Sequence, residues 1–202
     1  MKERDISILI ITTITVLTLF VYNSSTDTGI AIKKEMSEIF SPEKVVKQSI
    51  EGMDEEIKMN LNEGNPSEYV MYVDEERYKL IHGEKSDVIT PLHPVPENYP
   101  EVTMEIKQVP NEKPEELVVK FGDELKKDFP ELQGAIEVTA PVKGYEFHGA
   151  AGNEANSKIV HAYVISNGKG GSFVITQHYF LEAAEGHGAR FHHMLKTFKI
   201  VE

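Results

Sequence analysis

The hydrophobic pattern opens with an uncharged apolar run at residues 6–22, made mostly of Ile, Leu, Val and Phe. A helix of this length spans about 25 Å, close to the ~30 Å hydrocarbon core of a bilayer. We therefore expect a transmembrane anchor here, between a cytoplasmic tail at residues 1–5 and a polar tether at 23–41. Lys2 and Arg4 precede the run, so the positive-inside tendency places the C-terminal domain outside the cytoplasm in a single-pass arrangement. A cleavable signal peptide and a buried core helix are the alternatives.

Residues 42–64 carry apolar side chains at spacings of three and four, with charged residues between them. This spacing predicts an amphipathic helix that begins near Pro42 and ends at Gly64. Its apolar stripe either covers the sheet of the domain or pairs with another chain. The residues of the stripe are Val46, Ile50, Met53, Ile57 and Leu61.

Alternating apolar and polar positions dominate the rest of the chain and predict a series of short strands. The glycine-rich stretch 167–171 predicts a tight hairpin between the last two of them. The four prolines within residues 91–100 indicate an extended surface crossing. The predicted strands are residues 69–73, 78–82, 87–90, 102–106, 135–140, 142–148, 158–166 and 172–181.

Two further helices are predicted from apolar residues at helical spacing. One opens at Pro114 and is stopped by Pro130. The other closes the chain and places Phe191, Leu195 and Phe198 on one face. Strands flanked by helices predict an α+β domain over residues 67–202, in which helices cover a largely antiparallel sheet.

The final third of the chain resembles the PsbP-like fold, of DcrB and PsbP type. The resemblance rests on the glycine hairpin, the stretch Phe173-Val174-Ile175-Thr176-Gln177 and the terminal helix. It implies an αβα sandwich over roughly residues 67–202 and a non-enzymatic binding or assembly role. The helix at 42–64 and the membrane anchor are additions to that pattern.

Charge and cysteine content exclude several functions. The formal net charge is −12, which argues against nucleic acid and anionic lipid headgroups, so membrane contact is expected through residues 6–22 only. The chain has no cysteine, so disulfides, thiolate zinc sites and a thiol nucleophile are excluded.

The densest group of reactive side chains lies before the last helix. Gly186 and Gly188 at a helix start leave backbone N–H groups free, and with His187 and Arg190 they form a candidate site for an anion or a carboxylate. The alternative is structural: the glycines shape a strand-to-helix turn and His187 packs near Phe191.

His148 and His161 are the candidate metal ligands. They face one another if residues 149–160 connect two antiparallel strands. Two imidazoles are one or two ligands short of a zinc site, and exposed histidines without metal are the alternative. The adjacent His192 and His193 point about 100° apart on a helix and do not share an ion.

No serine-hydrolase or nucleotide-binding signature is present in the sequence. We therefore expect a binding or assembly module without catalysis or cofactor, whose partner is a protein or peptide. The alternative is a divalent-metal-dependent enzyme or metal sensor that uses the histidines. A third hypothesis is capture of a partner segment by strand addition at a sheet edge.

Overall fold

The computed structural model describes residues 41–65, 68–93 and 95–201. The predicted cytoplasmic tail, the membrane span at 6–22 and residues 23–40 of the tether lie outside the described residues. Within the described ranges, no helix is both long enough and apolar enough to cross a membrane. The chain divides into the units Met1–Pro42 and Glu43–Glu202, and every element below belongs to the second unit.

A four-stranded antiparallel sheet contains the N-terminal strands of this unit and the last strand of the chain. Its order is β1-β2-β3-β11, and β1 and β2 form a hairpin. Glu51 and Gly52 at the tip both have positive φ, 53° and 76°, as expected of a two-residue turn matched to the twist of the strands. The strands are β1 (Glu43–Ile50), β2 (Met53–Glu63), β3 (Tyr69–Val73) and β11 (Lys199–Ile200).

The amphipathic helix predicted for residues 42–64 is therefore wrong. A spacing of four fits a strand as well as a helix, because four is a multiple of the two-residue strand period. The buried positions alternate along the hairpin, and Gln48 is among them, with only 4% of its surface exposed. Met53, which the helical pattern placed on the apolar stripe, is 60% exposed.

A seven-stranded antiparallel sheet has the order β4-β5-β6-β10-β9-β8-β7. Each of its strands overlaps a strand predicted from alternation, whereas the two-residue β11 was not predicted. The strands are β4 (Tyr78–His82), β5 (Ser86–Pro91), β6 (Thr103–Val109), β7 (Gln133–Val138), β8 (Gly144–Ala150), β9 (Lys158–Ser166) and β10 (Ser172–Phe180).

The larger sheet buries side chains on both faces. On one face Tyr163 and Ile175 join a core with residues of the small sheet and of α2 (Ala189–Leu195). On the other face Val164 and Val174 pack with residues of α1 (Pro114–Leu125) and the segment after it. The strands β9 and β10 are consequently apolar along most of their length.

The predicted fold class, an α+β domain with a sheet covered by helices, is corrected by this arrangement. The protein is mostly antiparallel β-structure in two sheets, and a sheet occupies much of the surface that helices were expected to cover. The helix-covered αβα sandwich implied by the PsbP-like resemblance is therefore not the architecture of this chain. The described helices are α1, α2, a 3-10 turn at Leu181–Ala183 and a π turn at Ala184–Gly188.

Candidate functional site

Arg190, one residue of the predicted ligand site, projects from α2 to the β1–β2 hairpin. Its Nη2 donates to both carboxylate oxygens of Glu55, each at 3.3 Å. Arg77 lies 3.8 Å from the same carboxylate and 3.1 Å from the buried Asp74. The carboxylate that the sequence predicted for Arg190 is thus supplied by the chain itself.

Gly186, His187 and Gly188 lie in the π turn before α2. Helical structure begins earlier, at Leu181, whose N–H donates to the carbonyl oxygen of Ser157 at 3.0 Å. The α-helix does begin at Ala189, directly after these glycines, but the turns before it carry the helical path back to Leu181, so the first free N–H groups of the helical segment lie upstream of the glycines. A ligand at this turn stays a prediction.

The side chains around the glycine turn are engaged within the domain. His187 Nδ1 lies 2.7 Å from the Tyr78 hydroxyl oxygen. Burial lowers the pKa of His187, and the positive charge of Arg190 lowers it further. A Cβ at Gly188 would lie 3.0 Å from the ring of Tyr179, which explains a glycine at this close approach.

His148 and His161 are directly paired between β8 and β9, so the prediction that they face one another is confirmed. Their ring centroids are 5.4 Å apart with planes at 79°. His161 Nε2 lies 2.6 Å from Glu146 Oε1 and 3.0 Å from the Tyr163 hydroxyl oxygen. Burial, and then the neighbouring His161, lower the pKa of His148.

Metal binding by this histidine pair stays a prediction. In the part of the chain that the structure describes, no group of three or more His, Cys, Asp or Glu side chains is arranged around one ion. His148 and His161 therefore offer two imidazoles, and Glu146 contacts the ring of His161 instead of adding a third ligand at a shared point.

A groove runs beside α1, above β6 and β10, and sequence reasoning did not identify it. One stretch encloses about 530 Å³ and a second about 710 Å³, and they share Asp128, Phe129 and His178. The apolar face of α1 was predictable from the sequence. Which strands lie next to that face, and so where a groove forms, depends on the order of the strands in the sheet. The apolar residues that line the first stretch are Val109, Pro110, Leu117, Phe121, Leu125, Phe129 and Val174.

The lining of the groove is net acidic. It contains five carboxylates and three lysines, and one lysine, Lys120, lies 3.6 Å from a carboxylate oxygen of Glu112. The ion pairs found among the described residues do not include Glu124 or Asp128. The lining carboxylates are Glu101, Glu105, Glu112, Glu124 and Asp128.

His178 lies where the two stretches of the groove meet. Its ring stacks on Phe129 with centroids 6.5 Å apart and planes at 21°. Burial lowers the pKa of His178, and the nearby carboxylates of Glu105 and Asp128 only partly oppose this shift. The imidazole is accordingly neutral at pH 7 and adds no positive charge to the acidic groove.

A third polar cluster, also missed from the sequence, is centred on Asp87 of β5, which is 1% exposed. Its carboxylate accepts hydrogen bonds from the Tyr69 hydroxyl at 2.6 Å and from the Asn65 N–H at 2.8 Å. His82 Nδ1 lies 2.9 Å from its other oxygen. The cluster joins both sheets and is structural, because its central carboxylate is closed to solvent.

No family model matches this chain, and no curated protein matches it in sequence. The groove and the polar clusters are therefore the features from which its function is inferred.

Proposed function

We propose that this domain is a binding or assembly module without catalysis, and that it holds an extended cationic segment of a partner protein in the groove beside α1. The observation that supports this proposal is the combination of an apolar lining with two carboxylates, Glu124 and Asp128, that take part in no ion pair found among the described residues. An extended segment with alternating apolar and basic residues matches both features, since its successive side chains point to opposite sides.

The dimensions of the groove suit a short segment. The floor follows β10 from Val174 to His178, and at about 3.4 Å per residue this length corresponds to about 14 Å. Four or five residues of an extended partner would cover that floor. Leucine-sized side chains would face Phe121 and Leu125, while basic side chains would reach Glu124 and Asp128 at the rim.

Electrostatics should contribute modestly to affinity and strongly to selectivity. Exposed ion pairs contribute about 0.2 to 1 kcal/mol each, and reversing the sign of the protein charge adds repulsion. Reversal of two rim carboxylates should therefore cost about 1.4 kcal/mol, which is about tenfold in Kd. Salt should weaken the interaction because the rim is exposed.

The test uses two defined probes on the full-length protein, an octapeptide of alternating Lys and Leu and its Glu–Leu counterpart. We expect the Lys–Leu peptide to shift the NMR methyl signals of Leu117, Leu125 and Val174, and the Glu–Leu peptide to leave them unchanged. The double variant Glu124→Lys/Asp128→Lys should lower the affinity for the Lys–Leu peptide about tenfold.

A matched control separates the groove from the overall negative charge. Glu116→Lys/Asp123→Lys makes the same change in net charge on exposed positions of α1 that do not line the groove. This control should bind the Lys–Leu peptide like the parent, apart from a small long-range effect. Equal losses in both double variants, or no methyl shifts in the groove, would refute the proposal.

A further inference from the structure

The rings of the cross-strand pair His148 and His161 are close enough together to share an ion. An imidazole nitrogen binds Zn²⁺ at about 2.0–2.1 Å, so two rings on one tetrahedral ion have centroids about 5 Å apart. The observed separation is 5.4 Å. Both residues are held on adjacent strands in direct register, so the sheet, and not a loop, fixes the separation of their backbones.

Glu146, on the same strand as His148, contacts the ring of His161. Its carboxylate only accepts hydrogen bonds, and the 2.6 Å contact therefore places a proton on His161 Nε2. The lone pair of His161 is then on Nδ1. A carboxylate that accepts from the second nitrogen of an imidazole is the usual outer partner of a metal-binding histidine, because it fixes the tautomer and raises ligand basicity.

The pair is also accessible from solvent. The side chains of His161 and Glu146 are 22% and 26% exposed, and His148 is an exposed residue. Water can therefore complete the coordination of an ion that the protein holds through two nitrogens. Imidazole ligands favour Zn²⁺, Ni²⁺ and Cu²⁺, whereas Mg²⁺ and Ca²⁺ favour oxygen ligands.

We infer that His148 and His161 form a divalent transition-metal site in which both imidazoles ligate the ion and Glu146 positions His161. The site is independent of the groove, which lies on the α1 face of the larger sheet, whereas the two histidines face away from α1. It binds one ion per chain and discriminates against Mg²⁺.

The experiment is a calorimetric titration of untagged, chelator-treated full-length protein with ZnCl₂ and, in parallel, with MgCl₂. We expect one Zn²⁺ per chain and no binding of Mg²⁺. His148→Ala and His161→Ala should each abolish stoichiometric binding, and Glu146→Gln should weaken it about tenfold, as expected for an outer partner. His93→Ala, which removes an exposed imidazole elsewhere, should bind like the parent.

A second measurement covers the case in which His161→Ala perturbs the sheet. In the parent protein, Zn²⁺ should shift the side-chain nitrogen signals of His148 and of His161 Nδ1 in ¹⁵N NMR spectra, while those of His93 stay in place. Absence of stoichiometric Zn²⁺ binding would overturn the inference. So would binding that survives both histidine substitutions, or nitrogen shifts confined to other histidines.

Discussion

Replacing Asp87 with Ala should destabilise the domain more than any single surface change. Its carboxylate accepts from the buried Tyr69 hydroxyl and from the N–H of the exposed Asn65, and His82 is a half-exposed third partner. Burial first, and then Asp87, raise the pKa of Tyr69 above its usual range, so the phenol stays protonated and remains a donor. Asp87→Ala leaves the Tyr69 and Asn65 donors without an acceptor.

The magnitude follows chiefly from the Tyr69 hydroxyl, because Asn65 is exposed and water can replace its acceptor. An orphaned buried donor costs about 1 to 3 kcal/mol, so Asp87→Ala should lower the free energy of unfolding by about that amount. His82 can turn to water and adds little. Tyr69→Phe removes a donor while Asp87 keeps its other partners, and it should cost about 1 to 2 kcal/mol.

A double-mutant cycle with urea denaturation measures the coupling. In Tyr69→Phe/Asp87→Ala no phenol is left orphaned, so the loss should be smaller than the sum of the single losses by about 1 to 2 kcal/mol. Asp87→Asn, which keeps the size and one acceptor oxygen, should be the mildest change at this position. Losses that add to within about 0.5 kcal/mol would refute the assignment of this hydrogen bond as a stabilising contact.

Two further predictions concern α2 and acid stability. Phe191 is fully buried, so Phe191→Ala should lower the free energy of unfolding by about 3 to 5 kcal/mol in a urea titration, whereas Val119→Ala, at a 69% exposed position, should change it by less than about 0.5 kcal/mol. Burial lowers the pKa of His178 and of His187 in the folded state, so below about pH 6.5 the unfolded chain binds more protons. Stability should therefore fall between pH 7 and pH 5 in thermal melts, and His178→Gln should reduce that fall; a flat profile would contradict the assignment.

The strands of the larger sheet were predictable because alternation and turn residues are local signals. The hairpin at residues 167–171 has Gly168 and Gly170 at positive φ, the conformation for which glycine was expected there. The first hairpin was not recognised, because Glu51 adopts positive φ beside Gly52 and the buried Gln48 interrupts the apolar alternation. Local pattern cannot distinguish a four-residue repeat in a strand from one in a helix.

The contacts within the candidate sites were predictable only where the two residues lie on strands that are consecutive in the chain. His148 and His161 are joined by one connection, so antiparallel pairing was enough to place them face to face. The partner of Arg190 is Glu55, 135 residues earlier in the chain, and no local pattern identifies such a pair. An exposed anion site was expected because the folding of the hairpin against α2 could not be read from the sequence.

The two sites proposed for ligands lie where a covering layer of the larger sheet ends. The groove lies at the side of α1, which packs on β8, β9 and β10 and leaves the adjoining face of β6 in contact with solvent. His148 lies on β8, next to the edge strand β7, and is exposed on the face opposite to α1. Side chains at such borders keep their polar atoms accessible to solvent while the sheet fixes the position of their backbone. Side chains that are buried between the sheet and a covering layer contact only other parts of the domain. Changes at Glu124 or His148 should therefore alter binding with little loss of stability, and changes at Asp87 or Phe191 should unfold the domain before they reveal any specific effect on a ligand.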